Sequence, residues 1–183
     1  RWIVGAQNAP DLGRFETTSP TAIMLAYTVI MTLCLQWGWE TWVADVLAAF
    51  LQGEELPRTE PLFVRIPKNW SPAVLAWLAK TLGPSCRHDI VLVVKGIFGL
   101  AESPRLWYQK FRKVLIGLGF FESSITKCLF IKFRNVNGKM MTQALIALHV
   151  DDAFIAGDDT CGPIWDRLKK ALTFGEWQNL RGK

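Results

Sequence analysis

Asp151 and Asp152 are adjacent, and they stand between two apolar, β-prone runs within residues 145–155 (LIALHVDDAFI). Burying a carboxylate is costly, and two side by side also repel each other. A pair placed this way points to a cation, and oxygen ligands suit Mg²⁺ or Mn²⁺ rather than zinc. Asp45 has a similar setting far upstream, in residues 42–51 (WVADVLAAFL). Three carboxylates from two separated strands could hold a pair of divalent ions. Paired ions clamp the attacking and the leaving oxygen in phosphoryl transfer. Taken alone, the Asp151–Asp152 pair reads as readily as a solvated turn, and Asp45 as a satisfied cap.

The elements must bring these carboxylates together. Neighbouring residues of a strand face opposite ways, so Asp151 and Asp152 share a site only where a tight turn curls the backbone. Residues 142–150 and 153–156 read as a hairpin with the two aspartates at its tip. Residues 129–133 begin a preceding hairpin, closed at Asn137-Gly138, a strong turn signal. Residues 40–46 read as a buried strand delivering Asp45. A helix is expected from Ser19-Pro20, with Ser19 as N-cap, to about Leu35, stopping near Gly38. The five-proline stretch 53–94 offers short strands at 62–66 and 90–94 and a short helix at 73–81. Residues 96–104 form a glycine-bearing turn into a helix capped by Ser103, whose apolar face is Trp107, Phe111, Val114, Leu115 and Leu118. An amphipathic helix over 163–174 closes the chain. This order predicts an α+β fold: an antiparallel sheet with helices on one face.

Composition sets the outer limits. With 183 residues, half of them apolar, the chain is one domain, or one domain plus a lobe, with a real core. Mean hydropathy is +0.18, which argues against disorder. The net charge of +5 permits a polyanionic partner without requiring one. Cys34, Cys86, Cys128 and Cys161 are scattered and make no zinc pattern with His88 and His149, so they read as reduced, mostly buried thiols. The apolar stretch 22–35 is too short to span a membrane and reads as a core helix. No glycine-rich phosphate loop suggests a small-molecule phosphotransferase. The first residue is Arg1 rather than methionine, so the chain reads as a segment of a longer polypeptide.

Five motifs in order carry a family resemblance. Residues 45–53 (DVLAAFLQG) resemble the D-V-x-x-A-F-L-x-G motif of copia-type retrotransposon reverse transcriptases. Residues 99–108 (GLAESPRLWY) are similar to that family's G-L-K-Q-x-P-R-x-W-Y, and Val150-Asp151-Asp152 with Gly157 resembles its Y-V-D-D-x-x-x-x-G. Residues 18–21 (TSPT) and Gly119-Phe120 stand where the family has S-P-T/V and G-F.

The resemblance implies a single reverse-transcriptase domain fragment, with fingers-like portions at 1–44 and 53–95 and a palm at 45–52 and 96–183. It covers no thumb, ribonuclease H or integrase. It implies an RNA-directed DNA polymerase that transfers a nucleotide from a dNTP to a primer 3′-hydroxyl on two Mg²⁺ ions, with Mn²⁺ as an alternative. Asp45, Asp151 and Asp152 would be catalytic, and these three with Val46 would hold metal. Arg1, Leu47, Ala48, Ala49, Phe50, Phe98 and Gly99 would bind the nucleotide, with Phe50 as a steric gate against the 2′-hydroxyl. Ser103, Pro104, Arg105, His149 and Val150 would meet template or primer. Phe50 also reads as a core aromatic, Arg1 as a solvated terminal residue, and Lys110, Arg112 and Lys113 as a solvated helix face. The implied partners are a primed RNA or DNA template, dNTPs and the rest of a polyprotein. The implied setting is intracellular, in a cytoplasmic particle or the nucleus, with no membrane.

Two positions depart from the family pattern. His149 replaces the tyrosine before V-D-D, which predicts altered efficiency. Ala101-Glu102 replaces Lys-Gln, which exchanges a cation for an anion near the expected template and puts template affinity in question. The other reading is a retroelement relic that keeps a nucleic-acid-binding fold without activity.

Overall fold

The computed structural model describes residues 3–5, 13, 16–67, 69–82 and 90–181. Arg1, Cys86 and His88 lie outside them. The described residues form, in chain order, α1 (Met24–Trp37), β1 (Glu40–Val46), α2 (Ala49–Gln52), β2 (Phe63–Arg65), α3 (Pro72–Leu82), β3 (Ile90–Leu92), α4 (Ser103–Gly117), β4 (Phe121–Glu122), β5 (Leu129–Val136), β6 (Lys139–His149), β7 (Asp152–Gly157), α5 (Gly162–Ala171) and β8 (Phe174–Asn179). Six strands form one sheet in the order β4-β5-β6-β7-β1-β8, and β2 and β3 form a separate pair. Every pairing is antiparallel.

The α+β class stands, but the helices do not share one face. Ile155 and its cross-strand partner Trp42 look toward α5, where Trp42 meets Trp165 edge-on at 6.0 Å. Phe130, in the same row through Ile146, meets Phe111 of α4. Phe154 points the other way and meets Tyr27 of α1 at 5.9 Å. The sheet therefore lies between α1 and the α4–α5 pair. The near-continuous apolar run of residues 144–148 is buried throughout because both faces are covered there.

Other expectations shift locally. The first helix begins at Met24, not Pro20, and has no side-chain cap; the Ser19 hydroxyl instead donates to the Pro104 carbonyl at 3.1 Å. It stops as expected, at Gly38 in the left-handed region (φ 69°). Ser103 is the first residue of α4 rather than its cap, and its hydroxyl donates to the Ile97 carbonyl at 2.8 Å. The closing helix ends at Ala171, and the chain then turns into β8 along β1, a strand the sequence reading lacked. Gly175, Glu176, Gln178 and Asn179 are weak strand formers, so only pairing with β1 makes this segment extended. The boundary expected at residue 45 falls inside β1, a single strand of the large sheet.

Asn137 and Gly138 make the β5–β6 turn with φ of 51° and 83°, as a two-residue hairpin of mirror-image type requires. The strands at 63–65 and 90–92 and the helix at 72–82 lie where the proline-rich stretch suggested them.

Candidate functional site

The carboxylates meet at one end of the large sheet. Asp45 is the register partner of Asp152 between β1 and β7, and Asp152 is the partner of His149 between β7 and β6. Cross-strand partners share a face, so His149, Asp152 and Asp45 form a row. The two-residue turn is Val150-Asp151, one residue earlier than expected, and Asp152 already belongs to β7. The strand-alternation conflict thus dissolves: Asp151 lies in the turn and Asp152 in the row. The site is less buried than its apolar flanks suggested, with Asp45 and Asp151 half-buried and Asp152 and His149 exposed.

Electrostatics joins the group. Desolvation, then the charges of Asp151 and Asp45, push the Asp152 carboxyl above its ordinary range, while His149 acts the other way. Burial and then Asp152 raise the Tyr27 hydroxyl of α1, whose ring packs on Phe154 of β7. Three mutually repelling carboxylates with His149 at the margin make a donor set suited to a hard divalent cation. Among the described residues, no three acidic, imidazole or thiol side chains are drawn into one ion-binding cluster. The backbone thus shares the three carboxylates along a rim without gathering their oxygens on a point.

The turn is held from outside. Val150 has φ 56°, a conformation that β-branched residues avoid. Its carbonyl accepts the Trp107 indole N–H of α4 at 2.5 Å. The next carbonyl, of Asp151, accepts the Val46 N–H of β1 at 2.9 Å. In the sequence Trp107 stands only on an apolar helix face. Its burial there is real, but nothing in the spacing signalled its polar role.

The segment after Asp45 is also anchored. The Leu47 N–H donates to the Thr173 carbonyl at 3.1 Å. Gln52 donates to the carbonyls of Leu47 (2.6 Å) and Thr173 (2.8 Å) and accepts the Thr173 N–H (2.8 Å). Leu47 and Ala48 are exposed, and Ala48 adopts φ 49°. Ala49 and Phe50 are buried at the start of α2, with the Phe50 ring 4.7 Å from Phe98. Gly99 has φ 99°, and a Cβ there would lie 1.9 Å from the Val4 carbonyl oxygen. The close approach that needs glycine is thus made by the chain's own residue 4, whose N–H also donates to Phe98 at 2.8 Å.

The expected template residues occupy varied settings. Ser103 is fully buried. Arg105 pairs with Glu16 at 2.5 Å and lines a pocket with Glu54, Glu55 and Glu102. Glu102 itself is 4% exposed and forms an ion pair with buried Arg58, whose Nε donates at 3.0 Å. It is therefore held within the fold by Arg58. Arg112 pairs with Glu122 at 2.8 Å and Lys113 with Glu54 at 3.6 Å. No helix of the described residues is long and apolar enough to cross a membrane.

Comparison with known proteins identifies a family. The family described as "Reverse transcriptase (RNA-dependent DNA polymerase)" matches residues 4–174. The chain is 29% identical over 157 residues to the "Retrovirus-related Pol polyprotein from transposon RE2" of Arabidopsis thaliana, covering 85% of this chain and 9% of that protein. It is 26% identical over 155 residues to the corresponding RE1 polyprotein of the same plant, with the same coverage. It is 25% identical over 157 residues to that of transposon TNT 1-94 of Nicotiana tabacum, covering 86% and 10%. The chain thus spans about a tenth of the length of these relatives. No solved structure matches it. With the family match running from residue 4 to residue 174 and the aspartates in register on adjacent strands, the chain belongs to the reverse transcriptase family, as a copia-type retrotransposon segment.

Proposed function

We propose that this chain is the catalytic segment of an RNA-directed DNA polymerase that extends a primer on an RNA or DNA template. The observation that carries this reading is the register match of Asp45 with Asp152, with Asp151 in the adjoining turn. Asp45, Asp151 and Asp152, with the main chain of Val46, would hold two Mg²⁺ ions, with Mn²⁺ as the substitute. Such ions activate the attacking hydroxyl and neutralise the triphosphate and its leaving group. The proton affinity of Asp152, raised first by desolvation and then by the charges of Asp151 and Asp45, supports this assignment, because a bound cation would offset the repulsive part.

The residues around the row would bind and orient. Leu47 and Ala48 are exposed beside Asp45 and can present main chain to a nucleotide, together with buried Ala49 and exposed Gly99. Phe50, buried and packed against the tilted ring of Phe98, has a fixed ring suited to excluding a 2′-hydroxyl. His149 and Val150 adjoin the carboxylates, where a primer end would lie. Pro104 and Arg105 begin α4, and Arg105 would have to exchange Glu16 for a template phosphate. Under this reading the palm includes all of β1, and the β2–β3 pair with α3 belongs to the fingers. Arg1, the thumb and the remaining polyprotein would complete the site.

The test is primer extension on an RNA template with a DNA primer, dNTPs and Mg²⁺ or Mn²⁺, using the chain in its polyprotein context. Extension that vanishes in Asp151→Asn is the expected result. Absence of extension by a folded, template-binding protein would overturn the reading in favour of an inactive relic.

A further inference from the structure

We infer that Trp107 is a positioning residue that holds the carboxylate-bearing turn in its working shape through one hydrogen bond; this rests on the polymerase reading above. Val150 sits at φ 56°, where a β-branched side chain is strained, so its own preference would not hold the turn. Two consecutive carbonyls of the turn are gripped by different elements: Val150 by the Trp107 indole of α4, and Asp151 by the Val46 amide of β1. Trp107 is 1% exposed, and its one polar atom faces this carbonyl at 2.5 Å. The indole is itself well seated. Its ring lies 5.5 Å from Phe111, and Gly53 approaches the Trp107 backbone so closely that a Cβ on Gly53 would stand 3.2 Å from the Trp107 amide nitrogen. A rigid donor on a helix therefore fixes a turn of unfavourable local conformation, and Asp151 and Asp152 follow from that turn. Without the N–H, the Val150 carbonyl loses a partner and the turn relaxes toward a negative φ. Asp151, in the turn, then moves away from the Asp45–Asp152 row. Misplacement of a reacting geometry by about 1 Å can cost roughly a hundredfold in rate.

The test replaces Trp107 with 3-benzothienylalanine, which keeps the ring's shape and substitutes sulfur for N–H, alongside Trp107→Phe. Both are made in the polyprotein context. Leu115→Val, on the same helix and away from the turn, serves as the packing control. Two readouts are taken: steady-state primer extension, and amide hydrogen exchange across residues 46 and 149–152. The expected result is a fall in kcat of at least tenfold with KM for dNTP within about threefold, and faster exchange confined to those amides. Leu115→Val lowers the melting temperature and leaves kcat of the folded protein in place. Unchanged kcat and unchanged exchange with the isostere would overturn the inference. So would exchange that rises evenly over the sheet, since that marks general destabilisation. If the parent protein extends no primer, the polymerase reading fails, and the local exchange change still decides whether Trp107 holds the turn.

Discussion

Asp152 carries a penalty that function would explain and folding would not. Its carboxyl is raised by desolvation and by Asp151 and Asp45, so ionisation is less favourable in the folded chain than in the unfolded one. The sign follows. The penalty is absent below the unfolded value, grows as pH rises from there through the raised folded value, and is complete above it. Asp152→Asn should therefore raise the melting temperature at neutral pH without divalent ions, and the gain should fade on acidification toward the unfolded pKa of 3.8. The same variant should extend no primer. A melting series against pH checks the first claim, and an equal or lower midpoint at pH 7 would refute it. The types and adjacency of Asp151 and Asp152 were legible in the sequence. Their separation into one turn residue and one strand residue was not, because the choice of turn depends on the Trp107 and Val46 contacts from elsewhere in the chain.

Among elements, α4 links the site to the proline-rich stretch. The Glu54 amide donates to Leu106 at 3.3 Å, and Arg58 reaches Glu102 in a pair whose side chains are 8% and 6% exposed. A buried pair contributes little over an apolar substitute, but breaking it from one side costs about 3–5 kcal/mol. Glu102→Gln, which would restore the family's residue type, should lower unfolding stability by about 3 kcal/mol in urea titration. Template affinity of the folded protein should stay unchanged in a binding titration. A gain in template affinity without loss of stability would show that the carboxylate faces nucleic acid. The helices and hairpins with periodic apolar faces or Asn-Gly turns were readable because their signals are local. The role of Glu102 was not, since its partner lies 44 residues away. Strand β8 was missed for the same kind of reason: its residues have little strand preference, and β1 supplies the template for it.

At the scale of the whole molecule, β1 is an interior strand because β8 covers its second edge. The junction before β8 also carries Thr173, which Gln52 ties to the loop after Asp45. A chain ending at Thr173 should expose β1 as an edge and release that loop. Such a chain should unfold non-cooperatively or aggregate, as read by circular dichroism melting and light scattering. A sharp melt like that of the longer chain would show that β8 is dispensable.

By itself the sequence determined the residue chemistry and the family: three aspartates in motifs of fixed order, a core of apolar runs, and turns marked by glycine, proline and asparagine. These are properties of short windows, where side-chain type and spacing act directly. The tertiary structure alone decided that α1 lies across the sheet from α4 and α5, that Asp45 faces Asp152 in register, that Glu102 is buried, and that an indole holds the turn. Each depends on which distant segments share a face or an edge. Packing and backbone pairing set those relations over the whole chain, and no local window contains them.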